Sequence, residues 1–338
     1  MHKGFRPLHA LLWLWLAALS LPLHAQESRS LQDRGYRYYE VGALDAPRAP
    51  HTEPAMMLMG GGEWVPAAFQ WWLARAGHGR VVVLRASGAD ELQNRLYREI
   101  GGAASVQTLV FNSRRAADDP AVLGVIAAAD AIFIAGGDQS RYIRFWKGTP
   151  VNEALNAHVR AGRPIAGTSA GLAILGGYSY GALDGGSVTS RRALRDPMGG
   201  AVTLDSDFLT MPYLANVVTD THFGKRDRLG RLIVFVALAA QRSGRQDMVG
   251  LGVDEDTALC VEADGTGQVF SRDGGYAWLV TPQHSADRLR GGKPLDFLAV
   301  PVTGVGEGSR LHMDGFRVDA AAFEITADIR AGRLQLRR

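Results

Sequence analysis

The sequence predicts an α/β protein: a mostly parallel sheet with helices on both faces, plus a small β-rich C-terminal extension. Three observations carry this. Between residues 55 and 175, short continuous apolar runs alternate with segments of helical pattern, the order that builds a parallel sheet buried on both faces. Several of the runs end in glycine clusters, where ligands bind beyond strand ends in such sheets. After residue 245 the pattern changes to short strand-like runs joined by Gly, Asp and Pro turns.

The elements follow in order. Lys3 and Arg6 precede the uncharged run Leu11–Leu21, and His24-Ala25 then leads into a polar stretch. This reads as a signal peptide over residues 1–25, too short an apolar run to span a membrane comfortably. Leu23 stands where a small residue is favoured before cleavage, so an uncleaved anchor is the competing reading. Residues 26–54 form a polar arm with Pro47, Pro50 and Pro54 and one strand near Tyr36–Val41. The main domain spans 55–281. Its strands are expected at Met56–Met59, Val81–Leu84, Val106–Phe111, Ala131–Ile134 and Pro164–Ala166. Its helices are expected at Val65–Arg75, Glu91–Ile100, Ala121–Ala128 and Asn152–Arg160, with another starting at Ala170. Further strands are expected at Val217–Asp220, Val249–Val261, Gly267–Phe270 and Ala277–Val280. Residues 282–338 form the β extension, packed on the same domain.

Composition narrows the function. The chain has 338 residues, 46% of them hydrophobic and 21% charged, ample for a large core. The net charge is +3, and loss of Lys3 and Arg6 with the signal leaves +1, which points away from a nucleic-acid partner. Cys260 is the only cysteine, so no intrachain disulfide forms; its apolar neighbours suit a buried small side chain.

The sharpest motif is Gly167-Thr168-Ser169-Ala170-Gly171 between a strand and a helix. Small flanking residues permit a tight turn that presents Ser169 at the helix N-terminus, with backbone amides facing a developing oxyanion. A serine hydroxyl requires a base. His78 and His158 are expected to be solvated, whereas His222 ends the strand-like run Val217–Asp220 on the edge of the sheet that carries Ser169. The orienting acid is either Glu255, after Gly252-Val253-Asp254, or Asp184, in the turn before Gly185; spacing leaves both open. Gly136-Gly137 offers a second oxyanion donor at Gly137 beside the amide of Ala170. Gly60-Gly61-Gly62-Glu63 lacks the Lys-Ser/Thr pair of a phosphate loop. No clustered His/Cys pattern suggests a metal, and no cofactor is called for.

Together, Gly136-Gly137-Asp138-Gln139, the Ser169 turn, Asp220-Thr221-His222-Phe223 and Gly252–Ala258 resemble peptidase family S51, which contains cyanophycinases and aspartyl dipeptidases. The resemblance covers roughly residues 55–280, in the family's order. It implies a class I glutamine-amidotransferase-like (flavodoxin-like) fold and a Ser169–His222–Glu255 triad, with Asp184 as the alternative acid. It also implies that Gln139, Asp220, Arg226, Arg228 and Arg231 bind substrate. The competing reading of the arginines is a solvated first turn of a helix. Cyanophycinases commonly carry glutamine just before the histidine, where this chain has Thr221, and the segment Gly181–Phe208 is long. Both departures fall on the substrate side.

The expected function is that of an exported, periplasmic or extracellular serine peptidase cutting amide bonds at aspartyl residues, most like release of dipeptides from a β-linked Asp-Arg polymer. The implied partner is a peptide or polypeptide with aspartyl residues, with no membrane contact after cleavage and a second copy of the chain as a candidate partner. Rival readings are an exopeptidase on short aspartyl peptides, an α/β-hydrolase-type esterase using Asp184 in the chain order Ser, acid, His, and a binding protein that has lost catalysis.

Overall fold

The computed structural model describes residues 35–88 and 92–338. The expected signal peptide and the start of the arm lie outside the described residues. In chain order the elements are β1 (Tyr36–Gly42), β2 (Met56–Met59), α1 (Pro66–Arg75), β3 (Arg80–Arg85), α2 (Leu92–Asn94) continuing as a π-helix over Arg95–Ile100, β4 (Ser105–Phe111), α3 (Pro120–Ala128), β5 (Ala131–Ile134), α4 (Gln139–Trp146), α5 (Pro150–Arg160), β6 (Ile165–Thr168), α6 (Ala170–Ala173), β7 (Tyr178–Tyr180), α7 (Ser190–Arg195), β8 (Leu204–Ser206), β9 (Val217–Asp220) and α8 (Leu229–Ser243). Strands alone follow: β10 (Val249–Val253), β11 (Thr257–Val261), β12 (Thr266–Ser271), β13 (Ala277–Val280), β14 (Phe297–Val305), β15 (Arg310–His312), β16 (Arg317–Asp319), β17 (Phe323–Arg330) and β18 (Arg333–Arg337).

The α/β class is as expected, but the strands form two mixed sheets rather than one. The first runs β1-β4-β3-β5-β6-β2-β11-β12-β15-β16, with a parallel centre from β4 to β2. The second runs β18-β17-β14-β13-β10-β9-β7-β8, parallel only across β10, β9 and β7. The stretch Val249–Val261, expected as one strand, is broken at Asp254-Glu255-Asp256: β10 lies in the second sheet and β11 in the first. Hydrogen bonding dictates the break. Asp254 Oδ1 accepts from Gly224 N (2.7 Å), and its Oδ2 accepts from Tyr276 N (3.0 Å) and Trp278 Nε1 (3.1 Å). Asp256 N donates to Gly61 O (2.8 Å) in the first sheet's loop. The C-terminal strands extend both sheets, β14, β17 and β18 the second and β15 and β16 the first.

Continuous apolar strands work here because both faces are covered. In β2, Met57 and Met59 pack with Phe69 and Trp72 of α1, while Met56 and Leu58 face the opposite core with Trp146 and Leu155 of α4 and α5. Val217, Leu251, Val253 and Leu279 of the second sheet join that opposite core, so the two sheets share it. The far face of the second sheet is sealed by α8, whose Leu232–Ala239 stretch is buried. Among the described residues, no helix is long and apolar enough to cross a membrane.

His158 corrects an expectation. It is not solvated but 3% exposed on α5, with Nε2 on Pro164 O (3.1 Å). Burial pushes its imidazole down to about 4. Below the ordinary value of 6.5 the unfolded chain therefore takes a proton that the fold refuses, and stability drains as pH falls from 6.5 towards 4. Denaturant titrations at pH 7 and pH 4.5 should show the wild type losing about 2–3 kcal/mol more than His158→Leu; equal losses would contradict this.

A second buried group ties α8 to β9. Asp220 and Arg231 are each 2% exposed, with Arg231 Nε on Asp220 Oδ2 (2.7 Å) and Nη2 on Oδ1 (2.5 Å). Arg228 Nη1 adds a longer contact to Oδ1 (3.4 Å). Removing one member of a buried pair strands the other charge, so Arg231→Met should destabilise by about 3–5 kcal/mol in urea, and the double change Asp220→Leu/Arg231→Met by less. A single variant as stable as the wild type would refute the pairing.

Candidate active site

Five strand ends converge. The register sets Met59 of β2 beside Thr168 of β6, and Ile134 of β5 beside Gly167, so Gly60, Ser169 and the turn after β5 are neighbours. In the second sheet Asp220 of β9 lies opposite Gly252 of β10, which brings Thr221-His222 level with the turn holding Glu255. This is the carboxyl end of the parallel strands, where doubly wound sheets bind ligands.

Ser169 occupies the sharp corner between β6 and α6 at φ 51°, ψ −117°, a conformation that a non-glycine residue adopts only when its surroundings impose it. They do so here through Ser169 N donating to Met59 O (3.1 Å) and Ala173 N to Ser169 O (2.9 Å). The flanking glycines are needed for close approach. A Cβ on Gly171 would stand 2.0 Å from Ile134 O, and one on Gly167 would stand 2.7 Å from the Gly171 carbonyl. The corner thus lifts the hydroxyl clear of the sheet.

His222 also has positive φ, 47°. Its N–H donates to Gly60 O (2.8 Å), and Gly61 lies flat against its ring: a Cβ there would come within 2.3 Å of Cε1. The triple glycine after β2, which as a sequence looked only like a failed phosphate loop, is therefore the wall behind the imidazole. His222 Nε2 is 2.6 Å from Ser169 Oγ, and Nδ1 is 2.6 Å from Glu255 Oε1. Asp184 is exposed, and its Oδ1 accepts from Gly186 N (3.4 Å) within its own turn. The alternative acid is thus spent on a local turn, and the carboxylate at the imidazole belongs to Glu255.

The relay opens on a cleft of about 340 Å³. Gly137, Ala170 and Gln139 line it. Gln139 heads α4, whose first turn is capped by Asp138 Oδ1 accepting from Ser140 N (2.9 Å). Of the arginines expected at the substrate, Arg226 and Arg228 line the cleft, whereas Arg231 and Asp220 face each other in the interior. Arg228 is not a solvated helix residue either: its Nη1 donates to Thr221 O (2.8 Å) and Thr221 Oγ1 (3.1 Å). The segment after β7 forms the opposite wall through Gly185, Gly186 and Ser187, and Ser187 Oγ accepts from Arg231 Nη1 (2.9 Å). Arg144, missed because no helix was expected over Gln139–Trp146, adds a further guanidinium to the lining. Lys225 was missed too: its Nζ reaches Glu255 Oε2 at 2.6 Å. A separate cavity of about 250 Å³ between α8 and the segment after β13 shares no residue with this cleft.

The charges suit base catalysis. Burial lowers the affinity of His222 for a proton, and Arg226 and Arg228 add to that; the bond to Glu255 opposes them without reversing the result. Burial would raise the Glu255 carboxyl, but hydrogen bonds from Lys225 and His222 hold it below its ordinary range. At neutral pH a neutral imidazole therefore stands between a hydroxyl and a carboxylate, the arrangement that activates a serine. Among the described residues, no group of three or more His, Cys, Asp or Glu side chains is placed to hold a metal ion.

Residues 91–192 match the model of peptidase family S51. The cyanophycinase of Trichormus variabilis is 34% identical over 189 residues, covering 56% of this chain and 57% of that protein. The cyanophycinase of Synechococcus elongatus is 34% identical over 206 residues, covering 60% of this chain and 58% of that protein. The matches thus span less than two thirds of these relatives' length. A crystal structure of a peptidase from an acI-B1 actinobacterium aligns over 82% of this chain and 98% of its own, at 18% identity and a TM-score of 0.47. The chain is thus similar to peptidase family S51 over residues 91–192 and to cyanophycinases over somewhat more than half its length.

Proposed function

We propose that the protein is a serine peptidase that hydrolyses amide bonds at aspartyl residues, releasing dipeptides from a β-linked Asp-Arg polymer. The observation that carries the chemistry is the unbroken relay from Ser169 Oγ through His222 to Glu255, both links 2.6 Å. The substrate reading is supported by the likeness to cyanophycinases and by a polar cleft lined by Gln139, Arg226 and Arg228. The basic start and the apolar run before Gln26 support export to a periplasm or the medium.

In the proposed reaction His222 Nε2 takes the Ser169 proton as Oγ attacks the scissile carbonyl. The oxyanion is received by the amides of Ala170 and Gly137. Glu255 holds the imidazolium, which then protonates the leaving amine; water repeats the sequence on the acyl-enzyme and frees the acid. An exopeptidase acting on short aspartyl peptides uses the same groups, and the Thr221 position and the wall at Gly185–Ser187 are where the two differ in what they admit.

Three outcomes follow. Purified mature protein should release β-Asp-Arg from insoluble polymer, and Ser169→Ala should remove the activity; cleavage of α-aspartyl dipeptides alone would select the exopeptidase reading, and activity surviving in Ser169→Ala would end both. Glu255→Gln should lower kcat by about 10³- to 10⁴-fold with little change in KM; a loss confined to KM would remove Glu255 from the relay. Because only the neutral imidazole is a base, activity falls as pH drops through the His222 value. That value is depressed, so the acid limb of kcat/KM should lie below 6.5; a limb above 6.5 would contradict the electrostatics.

A further inference from the structure

The acid of a serine relay must keep one oxygen on the histidine and must not hold the imidazolium so strongly that the base is protonated before substrate arrives. In this chain both requirements bear on one exposed side chain. The turn Phe223–Arg228 is wound tightly, with Arg226 N on His222 O (3.1 Å) and Arg228 N on Phe223 O (3.0 Å). It is pinned to the neighbouring turn by Gly224 N on Asp254 Oδ1 (2.7 Å). The next residue along each turn makes a second rung, Lys225 Nζ to Glu255 Oε2 at 2.6 Å. Lys225 is 72% exposed on its side chain and Glu255 13%.

Every charged group facing the carboxylate has a place. His222 and Lys225 take separate oxygens, and Arg226 Nε stands 3.8 Å from Oε1. The adjacent acids are occupied elsewhere: Asp254 by Gly224 N, Tyr276 N and Trp278 Nε1, and Asp256 by Glu63 N. The imidazole itself faces Ser169, Glu255, Arg226 and Arg228. Lys225 is thus the cation bonded directly to the outer oxygen of Glu255.

Resting on the relay reading above, we propose that Lys225 is a positioning residue for the catalytic acid. By binding Oε2 of Glu255 it keeps Oε1 on His222 Nδ1 and offsets part of the carboxylate's negative charge at the imidazole. It touches neither substrate nor Ser169 and acts only through Glu255. An exposed ion pair contributes little to folding stability, so Lys225 matters to the proton inventory of the site far more than to the fold. Without the ammonium, the full charge of Glu255 falls on His222, the imidazolium is favoured and the base is lost at higher pH. A carboxylate at position 225 strengthens the effect, and a guanidinium preserves the original state.

The test reads Ser169 reactivity without needing the natural substrate: the rate of phosphonylation by a fluorophosphonate probe between pH 4.5 and 9, with Ser169→Ala as blank. Lys225→Met should label about two- to fivefold more slowly than wild type at pH 6, with a smaller deficit at pH 8. Its acid limb should lie at higher pH, that of Lys225→Glu higher still, and Lys225→Arg should restore the wild-type curve. Melting temperatures of all three should match the wild type, which separates positioning from a fold defect. A labelled wild type whose curve coincides with that of Lys225→Met overturns the role of Lys225 alone. An unlabelled wild type overturns the serine-nucleophile reading and this inference with it.

Discussion

His222 is held between two hydrogen bonds of 2.6 Å, and its partners come from different parts of a two-sheet structure. Ser169 follows a strand of the first sheet, His222 follows a strand of the second, and Glu255 sits in the turn where the chain passes from one to the other. The relay therefore forms only when the sheets are locked in one relation. The shared core, the three donors on Asp254 and the bond from Asp256 N to Gly61 O all serve that constraint. Much of the local strain follows from it as well. Ser169 and His222 both adopt positive φ, held by bonds from their own amides to Met59 O and Gly60 O at the end of β2.

The charged residues around the site divide by exposure. Asp220 and Arg231 neutralise each other in the interior and fasten α8 to β9, which leaves neither carboxylate oxygen open to the cleft. Arg228 bridges the two regions, bonded to Thr221 and Ser187 while lining the cleft. Lys225 and Arg226 are in water, where single ion pairs contribute little to folding, yet both act on the titration of the relay. A run of basic residues that looks uniform in sequence thus contains a structural anchor, a cleft wall and a group that acts on the acid.

The central strands of the first sheet were legible because each is a short, continuous apolar run buried on both faces; Met56–Met59 and Ala131–Ile134 match residue for residue, whereas the helix Gln139–Trp146 was not expected. The break at Asp254–Asp256 was not, because what ends β10 is a set of hydrogen bonds to residues 22 to 30 positions away in sequence, and nothing in Val249–Val261 taken alone records them. Within the site, Ser169 and His222 stood out by their place at strand ends, while spacing left Glu255 and Asp184 both open and only the resemblance favoured Glu255, the residue that the fold brings to the imidazole. Lys225 was invisible because its partner lies thirty residues on. His158 was misjudged because its polar sequence neighbours lie on the outer side of α5 while its own side chain turns inward.

The central claim is that the fold activates Ser169 and no other hydroxyl. The most direct measurement is peptide mapping by mass spectrometry of the purified protein after exposure to a fluorophosphonate. A single adduct on Ser169, absent from His222→Ala, is the predicted result. An adduct on another residue, or labelling of Ser169 that is unchanged in His222→Ala, would contradict it.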